Sequence, residues 1–183
     1  MDAGSWFDSN SPSEKVPTLK EILAKFENRV HIFVEIKSEE EDLLIELRSL
    51  LETMGWIPDN NYEKSGEALT VPGISIISFL QDQLLLSAKM LPELAHGLLT
   101  IETSEELIEW CVSEGMVGIF PYVGYIDKNF VSSAHNSGLY VGAWGFENPE
   151  QLSSNLGLGL DGVTVDWPVE AAVIIGKEIS LDE

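Results

Sequence analysis

The chain has 183 residues, and its 31 acidic side chains outnumber 10 basic ones, giving a formal net charge of −21. That balance argues against nucleic acid or an anionic membrane as partner, and it sits awkwardly with an anionic substrate unless a local site or a cation offsets it. At 44% hydrophobic and 22% charged the chain is globular and of single-domain size, and its one cysteine, Cys111, excludes an internal disulfide framework.

No apolar run approaches the ~18 residues of a membrane span. Residues 1 to 10 lack the basic region and apolar core of a signal peptide, so a true start at Met1 would imply a cytoplasmic protein. Residues 1–15, rich in Ser, Asp, Gly and Asn, form a loop or the end of an insertion, with Trp6 and Phe7 packing on the domain that fills 16–183. Val16-Pro17-Thr18 then opens a helix whose apolar stripe is Leu19, Ile22, Leu23 and Phe26. Val30 to Lys37 is β-branched and aromatic and predicts a strand. Alternation puts Ile32, Val34 and Ile36 on one face and His31, Phe33, Glu35 and Lys37 on the other. Ser38-Glu39-Glu40-Glu41 has the form of a capping box and predicts a helix start, its acids a solvated first turn and not a metal site. Leu43, Leu44, Leu47, Leu50, Leu51 and Met54 supply that helix's buried stripe, and Gly55 stops it.

After a polar stretch ending in Pro72-Gly73 the pattern repeats. Strands are predicted at Ile74–Phe79, Leu94–Thr100, Met116–Tyr122, Leu139–Phe146 and Gly162–Trp167. Helices follow them at Gln81–Leu91, from a second capping box at Thr103–Glu106 through Cys111, at Asp127–Asn136, after the Asn148-Pro149 cap, and through Ile175. Six strands alternating with helices imply βα units and a parallel sheet. A (β/α)8 TIM barrel uses about 31 residues per unit, so this length holds about six. No G-x-G-x-x-G follows a strand and no phosphate-loop motif occurs, which disfavours a nucleotide-binding fold. The expected architecture is a TIM barrel lacking its first two βα units.

Barrel chemistry sits where the strands' C-terminal ends converge. In G-V-T-V-D-W, Thr164 and Asp166 share a face; in L-Y-V-G-A-W-G-F, Tyr140, Gly142 and Trp144 do. Glu35, Lys37, Trp144 and Asp166 thus meet on one rim, a set suited to a small anionic or cation-bridged ligand. Ordinary packing for Trp144, and a helix cap for Asp166 ahead of Trp167-Pro168, are the bland alternatives. His31 begins its strand, His96 lies within the weak third strand and His135 sits on a helix, so all three histidines read as structural or solvated. Cys111 reads as core filling.

The segments V-P-T-L-K-E-I-L, V-E-I-K, I-I-S-F, G-L-Y-V-G-A-W-G and D-G-V-T-V-D-W-P resemble, in order, the glycerophosphodiester phosphodiesterases, and D-A-G-S-W-F resembles the end of that family's insertion after its second strand. The resemblance implies a TIM barrel that hydrolyses glycerophosphodiesters to glycerol 3-phosphate and an alcohol with a divalent cation, calcium or magnesium. It implies Glu35 as a metal ligand, Lys37 beside the phosphate, Phe79 and Trp144 as apolar walls of the substrate pocket, and Asp166 as the aspartate before the family's final proline. The family's histidine-arginine-glycine, its proline-glutamate-asparagine-threonine segment, its glutamate-x-aspartate pair and its second histidine do not occur in this chain. No catalytic residue is therefore assigned, and Glu35 alone would hold calcium weakly, an ion that takes about six to eight oxygens. The expectation is an N-terminally truncated phosphodiesterase-like domain, inactive alone, with self-association or a complementing N-terminal segment covering its open edges. A non-catalytic binding module that pairs through those edges is the alternative. An unrelated α/β domain binding a small anion at Glu35–Lys37 is disfavoured by the ordered motifs.

Overall fold

The computed structural model describes residue 4 and residues 15–27, 29–40, 42–57 and 69–177. Trp6, Phe7 and Glu41 lie outside the described residues. Six strands form one sheet in sequence order, β1 (His31–Glu35), β2 (Gly73–Ser78), β3 (Ala95–Thr100), β4 (Gly118–Pro121), β5 (Tyr140–Trp144) and β6 (Gly162–Thr164), and every adjacent pair is parallel. Helices α1 (Leu19–Lys25), α2 (Leu43–Thr53), α3 (Gln81–Met90), α4 (Glu105–Ser113), α5 (Lys128–Asn136), α6 (Pro149–Asn155) and α7 (Pro168–Ile174) alternate with the strands. This is the partial TIM barrel that six βα units predict. Among the described residues β1 and β6 each have one strand neighbour.

Alternation fixes what each face of the sheet meets. Ile74, Ile76, Leu98, Ile119 and Val141 face outward and are buried under Leu44, Leu47, Leu51, Leu84, Ile108 and Val131 of the helices. Burying each such side chain stabilises the fold by roughly 1.5–3 kcal/mol. Ile32, Val34 and Ile36 join that layer, as the reading of β1 required.

The inner face is built differently. The Phe33 and Phe120 rings, on β1 and β4, have centroids 5.5 Å apart, and those of Phe79 and Trp144, at the ends of β2 and β5, are 5.4 Å apart. Each pair skips two intervening strands, so the sheet is curled with its interior filled by side chains. Phe120 fits because its neighbours are glycines: a Cβ on Gly97 would stand 2.4 Å from its ring, and one on Gly142 2.7 Å. One strand's aromatic thus lies over the bare backbone of the strands on both sides.

Local signals set the helix ends. Thr18 and Glu21 form a reciprocal capping box on α1, and Asn148 caps α6 by accepting from Gln151 N at 2.9 Å, with Pro149 at the first helical position. Ser38 does not cap α2. Its Oγ accepts from Glu40 N at 3.3 Å in a local turn, and the helix begins at Leu43 after an uncapped Asp42. At α4 the cap is Ser104, which accepts from Leu107 N at 3.3 Å, while Thr103 Oγ1 donates to Tyr125 O at 2.9 Å. The predicted box is a single serine cap shifted by one residue.

Candidate functional site

Glu35 ends β1 on the inner face, and its Oε1 lies 2.7 Å from Lys37 Nζ, with the lysine largely exposed and the glutamate mostly covered. Two residues apart on a strand, these side chains share a face, which brings carboxylate and ammonium together without any tertiary contact. The register pairs Glu35 with Ile77, and Ile36 N still donates to Ile77 O at 2.9 Å. Lys37 and Phe79 therefore leave β1 and β2 side by side.

Phe79 is 42% exposed and meets Trp144 edge to face at 90°. Trp144 is fixed by an Nε1 hydrogen bond to Phe120 O at 3.0 Å and by the Tyr122 ring 5.0 Å away. Tyr122 bridges Trp144 in parallel register and packs on the left-handed Gly145, where a Cβ would stand 2.3 Å from the ring. Asp166 is exposed just past β6. It is not a helix cap: the residue before α7 is Trp167, which makes no side-chain capping bond.

The structure thus joins Glu35 to Lys37 and Phe79 to Trp144, and sets Asp166 on the same rim. The sequence reading missed Tyr122 and Phe120, the residues that hold Trp144. Their alternation in G-I-F-P-Y was the available signal, hidden because the run is apolar throughout. Between the ends of β2 and β3 lies a cavity of about 290 Å³, lined by Phe79, Gln81, Leu99, Ile101, Glu102 and Leu107 among others.

The histidines lie elsewhere. His31 Nδ1 donates to Thr70 O (2.8 Å), which leaves Nε2 to accept from Ser75 Oγ (2.8 Å), and half-burial holds its pKa below the ordinary imidazole value. His96 is buried on the outer face with Ser87 Oγ and Leu94 O, each at 3.0 Å. His135 on α5 meets Asp161 at 2.8 Å, a carboxylate that also accepts from Val141 N. Cys111 is fully buried and its thiol is pushed up to about 12 by desolvation. Among the described residues no group of three or more His, Cys, Asp or Glu side chains is placed to hold a metal ion, and no helix is long and apolar enough to cross a membrane.

Comparison with known proteins places this geometry in a family. The model of the glycerophosphoryl diester phosphodiesterase family matches residues 1–170. The Bacillus subtilis (strain 168) protein YhdW, provisionally named a glycerophosphodiester phosphodiesterase, is 21% identical over 92% of this chain and 65% of its own length. The chain therefore spans just under two thirds of that relative. Among solved structures, a provisionally named glycerophosphodiester phosphodiesterase from Galdieria sulphuraria superposes with a TM-score of 0.75 at 18% identity, over 93% of this chain and 66% of that one. An Oleispira antarctica phosphodiesterase in complex with the product sn-glycerol-3-phosphate superposes with a TM-score of 0.72 at 22% identity, over 96% of this chain and 68% of that one. The two solved structures share this chain's fold, and the family model covers nearly every residue: the chain belongs to the glycerophosphoryl diester phosphodiesterase family.

Proposed function

We propose that this chain forms the substrate-holding rim of a glycerophosphodiester phosphodiesterase, which cleaves a small glycerophosphodiester into glycerol 3-phosphate and an alcohol. The observation that carries the reading is the Glu35–Lys37 pair at the mouth, beside the Phe79–Trp144 wall. In a chain of net charge −21, Lys37 offers a phosphodiester the ammonium it needs, and Glu35 orients it. Phe79 and Trp144 wall the pocket, and Asp166 closes the rim at β6.

In the hydrolysis a water oxygen adds to phosphorus, the bond from phosphorus to the alcohol oxygen breaks, and the alcohol leaves with a proton. A base must take the water's proton and an acid must supply the alcohol's, each contributing about 10²–10⁴-fold. His31 and His96 each have both ring nitrogens committed away from the mouth, and His135 pairs with Asp161 on an outer helix. With none of the chain's three histidines facing the mouth, we infer that 1–183 alone is inactive. The divalent cation implied by the family does not fit the described residues by themselves: Glu35 is the one carboxylate assigned to it, and that group is engaged by Lys37. No step is routed through it.

The test joins this chain to the part of the Bacillus relative that it does not span and measures glycerophosphocholine hydrolysis. The isolated chain is expected to match the blank. The joined protein is expected to turn over, and Lys37→Ala is expected to lower its kcat/KM on the order of 100-fold. A folded but inactive joined protein, or a Lys37→Ala variant with full activity, overturns the reading. A second reading, a non-catalytic module that pairs through its edges, draws on Phe33, 38% exposed on edge strand β1. A joined protein that binds glycerophosphocholine without cleaving it would favour that one.

A further inference from the structure

We propose that in this chain the Lys37 ammonium holds the place on Glu35 that a divalent cation would take, so that the rim binds a phosphate ester through Lys37 without any cation. The inference deepens the phosphodiesterase reading, on which its choice of ligand rests. It also reassigns Glu35: the resemblance implies a metal ligand, whereas here that carboxylate is the counter-ion of a lysine.

Local structure makes the pair before any ligand arrives. Glu35 and Lys37 stand two residues apart on one face, and Oε1 lies 2.7 Å from Nζ. An ion on either Glu35 oxygen would stand no more than a carboxylate's width from that ammonium, like charge against like. The number of ligands tells against the cation as well. Calcium takes about six to eight oxygens, and magnesium about one or two carboxylates completed by water and phosphate. Glu35 stands level with Ile77 in the register, and the residue below it on the same face of β2 is Ser75. Asp166 follows β6, and β1 and β6 lie at opposite ends of the sheet. Among the described residues no three His, Cys, Asp or Glu side chains are grouped to hold an ion. For calcium the set is too small; for magnesium the one carboxylate on offer is already held.

An anion meets the opposite situation. The Lys37 side chain is 74% exposed and that of Glu35 28%, so the ammonium is the accessible half of the pair. Nζ carries three donors, of which Glu35 takes one. Lysine binds phosphate as a point charge and needs no fixed fork geometry to do so.

The test uses the 183-residue chain and needs no turnover. It is titrated with sn-glycerol 3-phosphate in EDTA, and again with excess calcium or magnesium, followed by calorimetry. The Glu35 carboxylate is followed by carbon-13 NMR, its resonance assigned from Glu35→Gln. Binding is expected in EDTA, changed less than about 2-fold by either cation, and weakened at least roughly 5-fold in Lys37→Met with an unchanged far-UV spectrum. The Glu35 resonance is expected to move in Lys37→Met. Under added calcium it is expected to move no more than that of Glu114, an exposed acid at the end of α4. A phosphate ester that binds only with a cation, binds equally well to Lys37→Met, or fails to bind at all overturns the proposal. So does a Glu35 resonance that saturates with calcium ahead of Glu114. The joined protein separates the two readings: turnover there leaves the phosphodiesterase reading standing after any of these failures, and an inactive joined protein beside cation-free binding at Lys37 does the reverse.

Discussion

His31 donates from one ring nitrogen and accepts at the other; protonation would reverse its bond with Ser75, whose hydroxyl would then accept, and would charge a half-buried ring. Its folded pKa lies below the unfolded value, so between the two the unfolded chain binds more protons and stability rises with pH. The contribution is whole above about pH 6.5 and is lost as pH falls below it. Melting is expected at a lower temperature at pH 5 than at pH 7, with the drop reduced in His31→Asn; an equal drop in both proteins would refute the assignment. At Cys111 a pKa of about 12 leaves a thiolate fraction of about 10⁻⁴ at pH 8, so Ellman's reagent is expected to label the native protein slowly and the urea-unfolded chain at once. Rapid native labelling would contradict the burial. At this scale the sequence was informative wherever a side chain's face was set by its own strand, as for Glu35 and Lys37. It was uninformative where the partner comes from another strand, as for Tyr122 beneath Trp144.

Helix and strand ends separate by the same rule. Asn148 ahead of Pro149 was legible because the cap stands directly before its helix and its partner, Gln151 N, is three residues on, and Asn148→Ala is expected to cost about 1 kcal/mol by urea unfolding. The start of α2 was misread because Ser38 had two local uses for its hydroxyl, and the turn at Glu40 took it. Asp166 had a cap's sequence context, yet the chain enters α7 through Trp167 without side-chain help. Within the weak third strand, Gly97 leaves room that the Phe120 ring occupies, in the space where a side chain would go. Gly97→Ala is expected to destabilise by about 1–3 kcal/mol. Combining it with Phe120→Leu should recover part of that loss, and strict additivity would show that the two do not share space.

Over the whole molecule, βα periodicity is enough to predict a parallel, partly closed barrel, because each unit repeats the same local signals. The closure itself, seen in Phe33 against Phe120, joins residues some ninety positions apart and carries no local signature. Charge acts at this scale too. With a net −21 the folded chain repels itself, so raising sodium chloride from 10 to 300 mM is expected to raise the melting temperature through screening alone. A fall or no change would place the acids in compensated pairs. The Phe79–Trp144 contact has an effect beyond holding two rings. It runs as a chord from β2 to β5, and a chord divides the mouth into two bays. On one side lie the ends of β1 and β6, which carry Glu35, Lys37 and Asp166; on the other lie the ends of β3 and β4, which carry Leu99 and Tyr122. Anything long enough to reach from one bay to the other must cross the edge of the Phe79–Trp144 pair, so the two rings set the path between the two sides of the mouth.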